Sequence, residues 1–251
     1  MDYVTHQSRR TAYRVVERGA GDPILCVHGS GGTHGLWKGQ LSRLSQRPVA
    51  AIDLGGHGES DDIPDDADPM TAYAQDVVAV AEDVDATVLV GNSLGGAAVL
   101  TAVLDHDFDP DAVVLAGSGA KLSVAEPLRE WLADDFSRAV EFLHGRDRLF
   151  HDPDERDIRV SREAMHGVGQ RVTRRDFLAC HDFDVRDRLD ELDTPLLALT
   201  GEHDQLTPPS FHEYLAENTS HGEWTTISDA AHLSMLERPD AFNDELEAFL
   251  D

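Results

Sequence analysis

The chain has 251 residues, 41% of them hydrophobic, and carries 48 acidic side chains against 21 basic ones, a formal net charge of −27. That length can bury one substantial core, and the sign of the charge argues against nucleic acid and anionic membrane as partners, because phosphate binding needs clustered Lys and Arg. No apolar run approaches the ~20 residues of a membrane span, and the opening MDYVTHQSRRTAYRVVERG lacks the apolar core of a secretory signal, so a cytoplasmic protein is expected.

Thirty-two of the 48 acids are Asp, and the only lysines are Lys38 and Lys121. Self-repulsion on this scale weakens a compact fold in dilute buffer and is screened by salt. The composition reads as a protein of a salt-accumulating halophile, with an ordinary acidic enzyme as the other reading. Cys26 sits in an apolar run far from Cys180, so buried free thiols are expected rather than a disulfide. No CxxC or HExxH occurs and the 13 histidines are scattered, so no dedicated zinc site is expected.

In chain order, Thr11–Glu17 and a short run near Val4 read as an opening hairpin. Apolar runs then recur at Ile24–Val27, Val49–Ile52, Thr87–Val90, Ala112–Ala116 and Pro195–Thr200. Helix-length amphipathic segments alternate with them at Gly35–Ser45, Thr71–Glu82, Ala97–Asp105, Ser210–Glu217 and Pro239–Leu250. That alternation predicts an α/β fold, a mostly parallel sheet with helices on both faces. ESDDIPDDADP, residues 59–69, reads as an acidic loop. About seventy residues separate VVLAGSGAKL from TPLLALTG, with helical patterns around Pro127–His144, Arg156–Gly167 and Thr173–His181. A structureless loop of that length would not suit a compact domain. The expected division is a core of residues 1–120 and 194–251, with a helical cap inserted at 121–193.

The chemistry centres on VGNSLGG. A strand, then G-x-S-x-G, then an Ala-rich helical run is the arrangement of a nucleophile elbow, in which the glycines permit a sharp turn and close helix approach. The stretch lacks the G-x-G-x-x-G of a dinucleotide site and the Gly-Lys-Ser/Thr ending of a phosphate loop. A turn serine without function is the competing reading for Ser93. A serine nucleophile needs a base and a group that orients the base. Asp204 in LLALTGEHDQLTP and His232 in WTTISDAAHLSMLERP follow in that order at the ends of later strands, with Glu202 a rival for the acid and a solvated loop residue the plain reading of His232. The loop HGSGG after Ile24–Val27 offers the Ser30 backbone N–H as an oxyanion donor beside that of Leu94, or is simply a flexible turn. The Ser30 hydroxyl is a further candidate for a substrate hydrogen bond.

HGSGG, DLGGHGES, GNSLGG, GEHDQLTP and DAAHLSMLERPDAFNDELEAFL, in this order, resemble the α/β-hydrolase superfamily across nearly the whole chain. The resemblance implies Ser93 as nucleophile, Asp204 as acid, His232 as base, and Ser30 with Leu94 as oxyanion donors. It also implies an eight-stranded, mostly parallel sheet with the cap after the sixth strand. Gly55 stands where a proline is usual and Ala231 where a glycine is usual. Serine at the elbow separates the chain from relatives that use aspartate there. The sequence is most similar to the esterase and enol-lactonase-like group, which implies a serine hydrolase of carboxylic esters or lactones that needs no cofactor or metal. The expected partner is a small-molecule acyl substrate, and the expected state a monomer or homodimer. Carbon–carbon bond hydrolases (suggested by Asn92, opposed by HLSMLE), cofactor-free haloperoxidase-like enzymes and non-catalytic ligand-binding members remain alternatives. The cap residues Trp131, Phe136, Phe142, Phe150, Met165 and Phe177 read more readily as core than as pocket wall.

Overall fold

A computed structural model describes residues 1–106 and 108–251. Eight strands form one sheet: β1 (Asp2–His6), β2 (Arg9–Val16), β3 (Ile24–Val27), β4 (Val49–Asp53), β5 (Val88–Asn92), β6 (Ala112–Ala116), β7 (Leu196–Gly201) and β8 (Gly222–Ile227). Their order is β1-β2-β4-β3-β5-β6-β7-β8. The β1–β2 and β2–β4 pairs are antiparallel and every later pair is parallel. The expected opening hairpin and mostly parallel sheet are therefore present.

The central strands β3 to β7 are buried along their whole length, which is why they read as continuous apolar runs, while the edge strand β8 is partly exposed. Alternate residues divide between two cores. Leu25, Leu89, Val113, Leu115 and Ala198 pack with α2 (Pro69–Asp83) and α3 (Leu94–Asp105) on one face. Ile24, Cys26, Val90, Val114 and Leu199 face the other core, with Trp37, Leu41 and Phe242 from α1 (Lys38–Arg43), the turn before it, and the C-terminal helix. Both cysteines are buried and free.

Between β6 and β7 come α4 (Glu126–Asp134), α5 (Phe136–Leu143), α6 (Glu155–Val168) and α7 (Gln170–Asp182); α8 (Pro209–Asn218), α9 (Ser234–Glu237) and α10 (Pro239–Leu250) follow. The single helix expected over Pro127–His144 is two. Asp135 leaves helical backbone (φ −145°, ψ 73°), and its side chain accepts the Arg138 N–H at 3.1 Å, capping α5. The expected start of α3 at Ala97 is also corrected: the helix begins at Leu94, directly after the turn at Ser93. Among the described residues no helix is long and apolar enough to cross a membrane.

Close backbone approach holds the β5–α3 turn. A Cβ on Gly95 would lie 2.4 Å from the Val27 carbonyl oxygen, and one on Gly91 would lie 2.5 Å from that of Gly95. Gly95→Ala is therefore expected to destabilise the fold by about 3 kcal/mol, read from chemical unfolding.

Two buried histidines set an acid limit. Nε2 of His28 accepts the Leu54 N–H at 3.1 Å, and Nε2 of His212 accepts the Ser118 N–H at 3.1 Å, so both rings are neutral at that nitrogen. Burial lowers each to about 4. Below the ordinary value of about 6.5 the unfolded chain takes up these protons and the folded chain does not, so stability falls as pH drops from 6.5 towards 4. Going from pH 7 to 5 is expected to lower unfolding stability by roughly 2 kcal/mol per histidine, with His212→Gln flattening the profile by one share.

Candidate active site

Ser93 lies between β5 and α3 with φ 53° and ψ −116°. A side chain tolerates that region only under local strain, which is held by the surrounding structure. Here the Ser93 N–H donates to Ala116 O of β6 at 3.0 Å, while Ser93 O accepts from the N–H groups of Gly96 and Ala97 and from Ser118 Oγ. The turn is thus fixed at both ends, and the half-buried hydroxyl lines a cavity of about 460 Å³.

His232 lines the same cavity from the loop after β8. Its Nδ1 lies 2.8 Å from Asp204 Oδ2, and both side chains are buried. Asp204 also accepts from the N–H groups of Leu206 and Thr207 and from the hydroxyls of Thr200 and Thr207. Burial acts to raise this carboxyl. The His232 charge and hydrogen bond, with those from Thr207, outweigh burial and hold it below the ordinary range. Glu202, the rival acid, is exposed and paired with His203 at 3.0 Å. The structure brings Asp204, not Glu202, to the histidine.

The HGSGG loop lies against the elbow. A Cβ on Gly29 would be 2.7 Å from Asn92 Oδ1 and 3.2 Å from Ser93 Cβ. Ser30 sits inside the turn closed by Gly32 N–H to Gly29 O at 3.0 Å and lines the cavity. Leu94 opens α3, so its N–H belongs to the first-turn donors that have no helical partner. The Ser30 hydroxyl lies 3.8 Å from Cys180 Sγ. Burial, the largest influence on that thiol, pushes it up to about 12.

Several participants carry no sequence signal of their own. Asn92 Nδ2 donates to Ala116 O at 2.9 Å and to His232 O at 3.4 Å, joining the elbow to the histidine loop. Asp176 of α7 is fully buried; it accepts the Gly31 N–H at 3.0 Å and the Tyr73 hydroxyl at 2.6 Å, and pairs with His57 at 2.9 Å. Burial alone would raise Asp176, but the His57 charge and these donors keep it low; the reverse contest leaves His57 raised. Three consecutive carbonyls between α5 and α6, those of Asp147, Arg148 and Leu149, accept the N–H groups of Gln205, His232 and Leu233. The cavity walls include Leu128, Phe142, Val160, Met165, Phe177 and Leu206. Of the six cap residues read as core, Phe142, Met165 and Phe177 line the cavity, while Trp131, Phe136 and Phe150 do not.

The chain is 29% identical over 236 residues to a pimeloyl-[acyl-carrier protein] methyl ester esterase of Neisseria meningitidis, covering 87% of this chain and 90% of that one. It is 23% identical over 257 residues to 3-oxoadipate enol-lactonase 1 of Acinetobacter baylyi, covering 95% and 92%. The structure of a thermophilic esterase superposes with a TM-score of 0.87 at 28% identity, over 99% of this chain and 96% of that one. The model of the alpha/beta hydrolase family matches residues 24–245, and the chain belongs to that family.

Proposed function

We propose that the protein is a serine hydrolase that cleaves a carboxylic ester or lactone through an acyl-enzyme. The observation that carries this reading is the buried Asp204–His232 pair, 2.8 Å apart, on the cavity that also holds the strained Ser93. The esterase and enol-lactonase relatives point the same way.

In this reading Ser93 Oγ attacks the acyl carbon while His232 Nε2 takes its proton, and Asp204 holds the ring with Nδ1–H directed at its carboxylate. The carbonyl electrons move onto oxygen, where the Ser30 and Leu94 N–H groups receive them. As the tetrahedral intermediate collapses, the bond to the leaving oxygen breaks, and that oxygen takes the proton from His232. Water, deprotonated by the same nitrogen, then attacks the acyl-enzyme and releases the acid and free Ser93. No metal or cofactor takes part. The interval 121–193 acts as a cap, a reading supported by Leu128, Phe142, Val160, Met165 and Phe177, which line the cavity with Ser93.

Ser93→Ala is expected to abolish hydrolysis of p-nitrophenyl butyrate. Asp204→Asn should lower kcat about 10⁴-fold, and Glu202→Gln should keep it near the parent value; the reverse ranking makes Glu202 the acid. Wild-type turnover by Ser93→Ala overturns the mechanism, and preferential cleavage of a vinylogous 1,5-diketone assigns the site to carbon–carbon bonds instead. We further propose that the charge of −27 suits the protein to high ionic strength. Dialysis from molar KCl into dilute buffer is expected to lower Tm, followed by circular dichroism; an unchanged Tm contradicts the proposal.

A further inference from the structure

Among the described residues, eleven of the 21 Lys and Arg side chains lie in ion pairs, and the buried or half-buried ones among them sit against carboxylates. Arg9 is paired with Asp76, Arg47 lies 3.5 Å from Asp22, and Arg175 lies 2.7 Å from Asp62. The cavity is different. Its lining contains two cations, Lys38 and Arg148, against one carboxylate, Asp157, so the pocket is locally positive within a chain of net −27. Lys38 Nζ is 2.7 Å from Asp157, which leaves Arg148 as the unmatched charge.

Arg148 is half-buried and held in place. Its guanidinium lies 3.7 Å from the centre of the Phe142 ring, and Nη1 donates to Phe142 O at 2.8 Å. Its own carbonyl accepts the His232 N–H at 3.1 Å, which ties its backbone directly to the proposed base. Among the described residues no carboxylate pairs with it. Nε and Nη2 also lack a protein partner, yet neither is among the sealed, unsatisfied nitrogens. A guanidinium with two accessible donors on an apolar pocket has the geometry and charge for a carboxylate.

We propose that Arg148 binds a free carboxylate on the substrate, so that the preferred substrate is a half-ester of a dicarboxylic acid, or a lactone bearing a carboxylate. The inference rests on the ester- or lactone-hydrolase reading of the site. The apolar residues that line the cavity with Arg148 and Ser93, Leu128 and Met165 among them, suit the methylene chain joining the two functional groups. The overall charge repels such an anion at long range, but in molar salt that field decays within about 3 Å, while a contact inside the pocket is screened much less.

The test, in molar KCl, compares kcat/KM for monoethyl succinate, adipate and suberate with that for ethyl pentanoate, heptanoate and nonanoate. The wild type is expected to prefer a half-ester over its neutral counterpart at one chain length. Arg148→Gln is expected to reduce that ratio about ten- to hundredfold, mainly through KM, and Arg148→Lys to restore part of it. A wild-type preference for the neutral ester at every length, or an equal loss on both substrates in Arg148→Gln, overturns the assignment. Calorimetric titration of Ser93→Ala with adipate and hexanoate reads recognition without turnover. Tighter binding of adipate, lost in the added Arg148→Gln change, supports the carboxylate site even if hydrolysis fails; equal binding overturns it even if hydrolysis holds.

Discussion

A fully buried carboxylate organises the approach to the site. Asp176 comes from α7, yet its partners belong to three other parts of the chain: the loop after β3, α2, and the loop after β4. An isolated charge in such a place would be severely destabilising, and removing one partner of a buried pair typically loses about 3–5 kcal/mol. The requirement to satisfy Asp176 therefore fixes Gly31, Tyr73 and His57 together. Because Gly31 adjoins Ser30, the same charge determines where the proposed oxyanion donor lies. The helices between β6 and β7 are bound into the site's geometry as well as forming part of its wall.

A second constraint is the disposition of charge. Where acids enter the interior they have partners: Asp76 faces Arg9 and Thr11, Asp53 accepts from the His34 and Glu59 N–H groups, and Asp204 is held by four donor groups besides His232. Among the described residues, the buried acids are Asp53, Asp76, Asp176 and Asp204 alone. The cavity lining, with Lys38 and Arg148 against Asp157, is a local exception in a chain of net charge −27. Such an exception is detectable only when every ion pair near it has been assigned.

The elements that position Ser93 were legible because their physics is local. Parallel strands buried on both faces appear as apolar runs, and the turn at Ser93 announces itself through Gly91 and Gly95. The order of Asp204 and His232 along the chain carried the rest of the proposed constellation, since each stands at the end of a strand. Asp176, Thr207 and Arg148 were not legible. Their roles arise from tertiary placement, and in a chain with 48 acids a single Asp on a polar helix has no distinguishing mark. The break at Asp135 was hidden for a related reason. The apolar spacing of residues 127–144 runs on without interruption, while the side-chain cap that divides the helices depends on one backbone conformation.

The three carbonyls of Asp147, Arg148 and Leu149 bear on how molecules pass in and out. They are hydrogen-bonded to the loops that carry Asp204 and His232, so a hinge motion lifting this segment would pull on those two residues. Opening by that route would disturb the Asp204–His232 pair of the proposed mechanism. On the other side of the rim α6 meets α1 through the side-chain contact of Lys38 with Asp157, and Val160 is exposed. On the proposed function, the 121–193 interval has one edge tied through backbone hydrogen bonds to the loops of Asp204 and His232 and another held to α1 by a side-chain ion pair.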